Sequence, residues 1–358
     1  MVASRTQVDP GGKSHAVIVS PDPSNVAGGV ERMCVLLSRV LEQDGWRVTV
    51  VGPGREPALT LSRLGAGYLE RSRLATLAAR RLRPDLLVTN GFLGMGPARG
   101  AQRVHVYHGT MVGDTRAEGG ALPWHERVRR MIGAGAAEAL AGRGATVVSV
   151  SEAAAREVRR FYRVRTDAVI PNGIDTTVFR PRPRVDARRR IGLQEHGRYC
   201  LFVGRMQHRK GSDLLMAACH EAGYELLIAG ERGVAGAHSL GILDPETLAE
   251  AYAACDGVLF PSRYEACSYV VLEALACEAP LLTTRVGWMP TFLRGVPGYD
   301  LLCIRPDHDD IVSRLRQLGD LDTAELTRNA RSWVLENNSL ESYGRHWRAL
   351  LAEIGLAS

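Results

Sequence analysis

Tyr199-Cys200-Leu201-Phe202-Val203-Gly204-Arg205-Met206-Gln207-His208-Arg209-Lys210-Gly211 runs from an apolar pentad into a basic turn bounded by glycines, and Ser212 opens a helical stretch behind it. Five apolar residues closed by glycine read as a strand buried on both faces, and 212–221 reads as the helix that follows. Downstream the alternation continues with a strand over 224–229, a helix over 245–254, a strand over 257–260, a helix over 269–277 and a strand over 280–283. Upstream, strands are expected at 15–20, 46–51, 85–89, 103–108, 146–150 and 168–170. A helix over 30–43 aligns Met33, Leu36, Leu37, Val40 and Leu41 on one face. Such alternation marks an α/β chain with parallel sheets.

The alternation breaks once. Residues 179–190 read F-R-P-R-P-R-V-D-A-R-R-R, a Pro- and charge-rich stretch suited to an interdomain linker. The 358 residues therefore divide into an N-terminal Rossmann-like domain at 1–180, a C-terminal Rossmann-like domain at 181–338 and a helix at 339–358 that crosses back onto the first. Two doubly wound domains in series are expected to set their switch-point crevices facing a central cleft, where ligands bind in such sheets.

Composition narrows the function. The chain is 45% hydrophobic, and its apolar runs are strand-length, far short of a membrane span. Residues 1–14 contain Asp9, Pro10, Gly11, Gly12 and Lys13 without an apolar core, and read as a loose leader and not a secretory signal. The seven cysteines form no C-x-x-C pair and sit in apolar surroundings, which points to buried thiols and a cytoplasmic setting. Residues 1–190 carry 30 Lys+Arg against 17 Asp+Glu, whereas 191–358 carry 15 against 22. The excess, in runs such as Arg127, Arg129 and Arg130, suits either solvated helix faces or a surface for an acidic acceptor or an anionic membrane. No module or aromatic-basic pattern accompanies it, so nucleic acid is not expected. Lys13 and Lys210 are the only lysines beside 43 arginines, a bias that fits a GC-rich bacterial genome. Lys210 is therefore unusual.

The turn at 204–211 joins a strand to a helix, where backbone N–H groups and the helix dipole favour anions. Arg205 and Lys210 add a forked and a compact cation there, suited to a leaving diphosphate. A second cluster follows in Pro261-Ser262-Arg263-Tyr264-Glu265, with Glu273 eight residues beyond Glu265. A loop carboxylate and a helix carboxylate each accept two hydroxyl hydrogen bonds, which suits a sugar and a ribose, although solvated helix charges have the same spacing. The helix-start N–H groups near Tyr269 and Val270 would face phosphate.

These stretches, in order, resemble the family-4 group of retaining GT-B glycosyltransferases. The resemblance rests on Gly28-Gly29-Val30-Glu31-Arg32, Val150-Ser151-Glu152, Val169-Ile170-Pro171-Asn172-Gly173-Ile174-Asp175 with Phe179, Val203-Gly204-Arg205 with Lys210-Gly211, and Glu265-x7-Glu273-Ala274-Leu275-Ala276. It implies that the first domain binds the acceptor and the second a nucleotide-diphosphate sugar, most often a UDP-sugar. Gly28 and Gly29 then form the loop that approaches the donor phosphate, with no Cβ to obstruct it. Arg205 and Lys210, beside Gly204, hold the diphosphate. Glu265 holds donor-sugar hydroxyls, Glu273 the ribose, and Leu240 and Ile242 lie near the base. His108 reaches the donor sugar, although a lone histidine at a strand end is more often structural.

The chain departs from the family pattern at Cys267-Ser268, where Phe-Gly is usual, at Glu278 in place of a common glycine, and at Trp288 in place of the second of a glycine pair. Ser268 puts the donor sugar in doubt. The departures leave room for a nucleotide-sugar-binding protein without turnover, and the shared cleft for a nucleotide-sugar epimerase. The acceptor is left open between a secondary metabolite, a small thiol or polyol and a lipid, and peripheral membrane contact through the basic half stays open with it. No cofactor or metal is expected, since the D-x-D in Asp307-His308-Asp309-Asp310 precedes an apolar-periodic run and reads as a helix cap. The glycine pairs at 52 and 54 and at 94 and 96 lack the third glycine of a dinucleotide site.

Overall fold

The computed structural model describes residues 14–23, 28–52, 66–97, 100–231 and 233–356. The leader expected at 1–14, Ser14 apart, and Gly54 of the first glycine pair lie outside the described residues. The chain divides into two compact units, Met1–Asn172 with Tyr343–Ser358, and Gly173–Ser342.

The first unit is built on β1 (His15–Val19), β2 (Arg47–Val51), β3 (Leu86–Asn90), β4 (Gln102–Tyr107), β5 (Thr146–Ser149) and β6 (Ala168–Val169). All pair in parallel, in the order β2-β1-β3-β4-β5-β6. Every residue of β1 and β3 is buried, as strands covered by helices on both faces must be. The winding reverses at β1, between β2 and β3, so the crevice of this sheet opens at the carboxyl ends of β1 and β3.

The second unit carries β7 (Tyr199–Val203), β8 (Glu225–Ala229), β9 (His238–Gly241), β10 (Gly257–Phe260) and β11 (Leu281–Thr283), also parallel, in the order β11-β10-β7-β8-β9. The reversal falls at β7, flanked by β8 and β10. The turn after β7 and the loop after β10 therefore share one end of the sheet, the end at which such folds bind ligands.

Three expectations are corrected. Residues 179–190 are not a free linker. Phe179 lies edge-on to the Tyr252 ring at 6.3 Å, Arg182 pairs with Glu246 and Glu250, and Arg188 donates to Ala254 O at 2.9 Å and Asp256 at 3.0 Å. Acids of the facing helix Pro245–Ala254 and its end draw the arginines in, and Arg184–Arg190 is itself helical. The division accordingly falls after Asn172 and not at 180, because Ile174 bonds to Asn338 O (2.8 Å) inside the second unit. Finally β9, which the sequence analysis did not anticipate, extends the sheet beyond β8. Its side chains are exposed or half-buried, so no apolar alternation marks it.

Other departures from the family pattern have structural accounts. Trp288 is buried and packs with Phe292 (5.5 Å) and Trp333 (5.3 Å), an aromatic cluster that a glycine would leave empty. Asp307 caps the helix His308–Leu318 by accepting from Asp310 N, and Asp310 itself holds Arg305. All seven cysteines are free and buried.

Glu278 follows the helix Tyr269–Ala276 with φ of +57°, a left-handed position that favours glycine. Its one ion pair, to Arg331 at 3.8 Å, is long and partly solvated. Glu278→Gly is expected to stabilise the second unit by about 0.5–1 kcal/mol, read as a higher melting temperature in calorimetry. A lower one would show that the ion pair outweighs the backbone cost.

Candidate active site

Two loops meet at the carboxyl end of the second sheet. The first leaves β7 at Gly204, forms the 3-10 turn His208–Lys210 and enters the helix Ser212–Ala222 through Gly211. The second leaves β10 at Pro261 and enters the helix Tyr269–Ala276 through Ser268. Gly211 has φ of +72°, and a Cβ on it would lie 2.4 Å from Pro261 O, so only glycine lets the two backbones approach. Arg263 N donates to Arg209 O at 2.7 Å, and the Arg263 guanidinium grips both Asp213 oxygens at 2.7 and 2.9 Å. Thr284, just past β11, donates to Ser262 O at 2.6 Å. Gly287 closes the support from below, since a Cβ there would come within 2.3 Å of Glu265 O and 2.4 Å of Ala266 O.

This scaffold brings Lys210 and Glu265 together. Lys210 Nζ bonds to Glu265 Oε1, and Arg209 Nη1 reaches the same oxygen at 3.0 Å and Tyr264 O at 3.4 Å. Burial raises the Glu265 carboxyl, but Lys210 and Arg209 outweigh it and hold the group below the ordinary carboxylate range. Burial lowers the Lys210 ammonium, Glu265 opposes that, and the charges of Arg209 and Arg205 add to the lowering. Arg205 is exposed and close enough for its charge to act on Lys210. Two cations thus hold one carboxylate, with the charge of a third, Arg205, reaching Lys210. Sequence analysis passed over Arg209, which the abundance of arginine hides beside the rare Lys210.

Glu273 is completely buried, and its Oε2 accepts from the Tyr252 hydroxyl at 2.8 Å. Tyr252, on the helix Pro245–Ala254, is a second residue that sequence analysis missed, for nothing in its spacing sets it apart from other core aromatics. Ser268 sits at the N-cap of the helix Tyr269–Ala276 but makes no side-chain cap bond, so the first-turn N–H groups of Tyr269 and Val270 have no capping oxygen from it. Tyr269 is buried and Val270 half-buried. Leu240 lies half-buried within β9, and Ile242, just past the strand, is 70% exposed. Among the described residues no group of three or more His, Cys, Asp or Glu is gathered as a metal site requires.

In the first unit, Gly28 and Gly29 open the helix Gly29–Gln43 without a side-chain cap, and Gly29 is exposed. A Cβ on Gly28 would meet the Glu31 carboxylate at 1.9 Å. His108 follows β4, its Nε2 3.0 Å from Asn90 Oδ1. Asn90 Nδ2 donates to Val19 O at 2.9 Å, so its Oδ1 is the acceptor and His108 Nε2 carries the proton, leaving Nδ1 able to accept. Burial pulls the His108 pKa down to about 4, which keeps the ring neutral at neutral pH. Beyond it, Glu138 accepts from Met111 N at 2.8 Å and from the Tyr162 hydroxyl, and fixes the start of the helix Met111–Glu118.

Two doubly wound units, one with a basic strand–helix turn bonded to a carboxylate loop, define the class: a GT-B fold. Residues 27–178 match the family model of Glycosyltransferase Family 4, and residues 197–320 match that of Glycosyl transferases group 1. The chain belongs to this glycosyltransferase family. A D-inositol 3-phosphate glycosyltransferase of Segniliparus rotundus is 32% identical over 46% of the chain and 42% of its own length. That of Acidothermus cellulolyticus is 34% identical over 46% and 43%. The chain thus spans less than half the length of these curated relatives. Among solved structures, sucrose-phosphate synthase from Thermosynechococcus elongatus superposes with a TM-score of 0.78 at 20% identity, over 97% of this chain and 100% of that one. WaaG, a glycosyltransferase involved in lipopolysaccharide biosynthesis, gives 0.73 at 17% identity over 95% and 100%. Anabaena HepE in complex with UDP and glucose gives 0.68 at 16% over 95% and 100%.

Two outcomes follow from this geometry. Gly287→Ala must push the Glu265–Ala266 backbone aside at a residue already at φ of +58°, and is expected to destabilise the second unit by about 2 kcal/mol in calorimetry. Glu138 has its pKa raised by burial from 4.5 to about 7. The unfolded chain ionises first, so stability falls as pH rises from 4.5 to about 7, by on the order of 3 kcal/mol. Glu138→Gln keeps the acceptor for Met111 and Tyr162 but cannot ionise, so its melting temperature should drop less than that of the native protein between about pH 5 and about pH 8. Parallel pH curves for the two proteins would refute the assignment.

Proposed function

We propose that the chain is a retaining, metal-independent glycosyltransferase that takes its sugar from a nucleotide diphosphate, UDP being favoured. The observation that carries this reading is the convergence of Lys210 and Arg209 on Glu265, with Arg205 nearby. Three cations against one carboxylate leave the pocket positive, which suits a diphosphate whose charge grows as it departs. UDP and UDP-glucose complexes of a protein with the same fold support the choice of donor.

In this reading Arg205 and Lys210 bind the diphosphate, Arg209 holds Glu265 in place, Glu265 receives sugar hydroxyls, and Glu273, oriented by Tyr252, serves the ribose. Glu265 is poorly suited to covalent attack, because two cations already occupy its Oε1. It is equally unsuited to general acid work, since its depressed pKa keeps it ionised. The departing diphosphate is then the base. The bond from the anomeric carbon to phosphate oxygen breaks, the acceptor oxygen bonds to the same face, and the acceptor proton passes to a phosphate oxygen. The cationic side chains supply the charge that a metal supplies elsewhere. The acceptor is a hydroxyl or thiol compound, with phosphorylated polyols the first to assay, given the names of the curated relatives.

The test is turnover in EDTA across UDP-, GDP- and ADP-sugars, with the product anomer read by NMR. Native protein is expected to release nucleoside diphosphate and form a product of retained configuration. Lys210→Ala should lower turnover by ~10²-fold or more. An unchanged rate in that variant, an inverted product, or a glycosyl adduct trapped on Glu265 would overturn the reading.

A further inference from the structure

Residues 124–141 of the first unit form one uninterrupted helical run, made of the α-helix Trp124–Val128, the π-helical segment Arg129–Ala134 and the α-helix Gly135–Ala141. Its second half is buried through small residues, Gly133, Ala134, Gly135, Ala137 and Ala141. Its first half does the opposite. Trp124 is 76% exposed, Val128 47% and Ile132 67%. They stand four residues apart, the spacing that places side chains on one helix face. Single exposed apolar residues need no explanation, but a tryptophan aligned with two β-branched residues on one face does.

The same run is basic. Arg127 is exposed, and Arg129 and Arg130 both pair with Glu126 at 2.8 Å, Arg130 reaching Asp114 as well at 3.5 Å. The helix Ala66–Arg81, packed against it through Tyr68 under Arg129 at 5.5 Å, exposes Leu74 and Leu77 and ends in Arg80 and Arg81. Among the described residues no helix is long and apolar enough to cross a membrane. A short apolar stripe with cations beside it is the pattern of a helix lying in a bilayer interface, with tryptophan at the headgroup level.

We propose that this face of the first unit, led by Trp124, Val128 and Ile132 and flanked by Arg127, docks on the surface of an anionic lipid bilayer. Charge decides against a second copy of the chain as the occupant. An isologous contact would set the same basic rim against itself, whereas anionic headgroups neutralise it. The apolar stripe and the arginines supply two weak attractions, which together give reversible, salt-sensitive attachment. The inference is independent of the donor site in the second unit.

The full chain is sedimented with extruded vesicles of phosphatidylcholine alone or with ~30% phosphatidylglycerol, at ~50 mM and ~500 mM salt. Native protein is expected to pellet with the anionic vesicles at low salt and to be released at high salt. Trp124→Ser combined with Ile132→Ser should lower the bound fraction ~fivefold or more with an unchanged melting temperature, since both side chains are largely in water. Arg127→Glu should weaken binding to anionic vesicles alone. Failure of the native protein to bind anionic vesicles overturns the proposal, as does full binding by the double variant. So does a concentration-dependent dimer in analytical ultracentrifugation that the double variant abolishes, which would make a second copy the occupant.

Discussion

A carboxylate taken out of water is costly unless cations and hydrogen bonds replace its hydration, and Glu265 is such a group. Lys210 and Arg209 both answer it on one oxygen. That single interaction ties the turn after β7 to the loop after β10, two segments that neighbouring strands deliver to the same end of the sheet. Removing one partner would leave buried charge behind, so each side chain holds the other two in register. The arrangement also carries more positive than negative charge, because Arg205 adds to Lys210 and Arg209. The ion cluster is therefore assembled and polarised by the protein's own contacts.

Backbone geometry makes that interaction reachable. Gly211 lets the first turn touch Pro261 O, and Gly287 lets a third segment lie against Glu265 and Ala266. Thr284 and Arg263 add hydrogen bonds from opposite sides of the loop. Each of these contacts joins segments far apart in the chain, so the loop conformation follows from the whole second sheet and not from the local sequence. Trp288 belongs to the same logic. It fills an aromatic cluster with Phe292 and Trp333 directly after Gly287, and so anchors the segment that carries the glycine.

Strands and helices were legible wherever apolar periodicity was strong, as at β1, β7 and β10. Lys210 and Glu265 stood out, the one by rarity and the other by its spacing from Glu273. What escaped had weak local signals. β9 buries no side chain, and its place is fixed by pairing with β8. Residues 179–190 look like a linker because prolines and arginines dominate, yet Glu246, Glu250 and Asp256 lie elsewhere in the chain to receive those arginines. Arg209 was one arginine among many. Asn90 and Tyr252 act through partners distant in sequence, and no spacing rule reaches them.

The two units use opposite electrostatics at their strand ends. In the second, the polar groups are ionised and paired across loops. In the first, burial works against charge: His105 is pushed down to about 3 and His108 to about 4, which keeps both rings neutral, and Glu138 is pushed up to about 7. These groups are chained by hydrogen bonds, Val19 to Asn90 to His108 along the reversal point of the sheet, and Met111 and Tyr162 to Glu138 behind it. A neutral imidazole with Nε2–H committed to Asn90 presents Nδ1 as an acceptor of fixed direction.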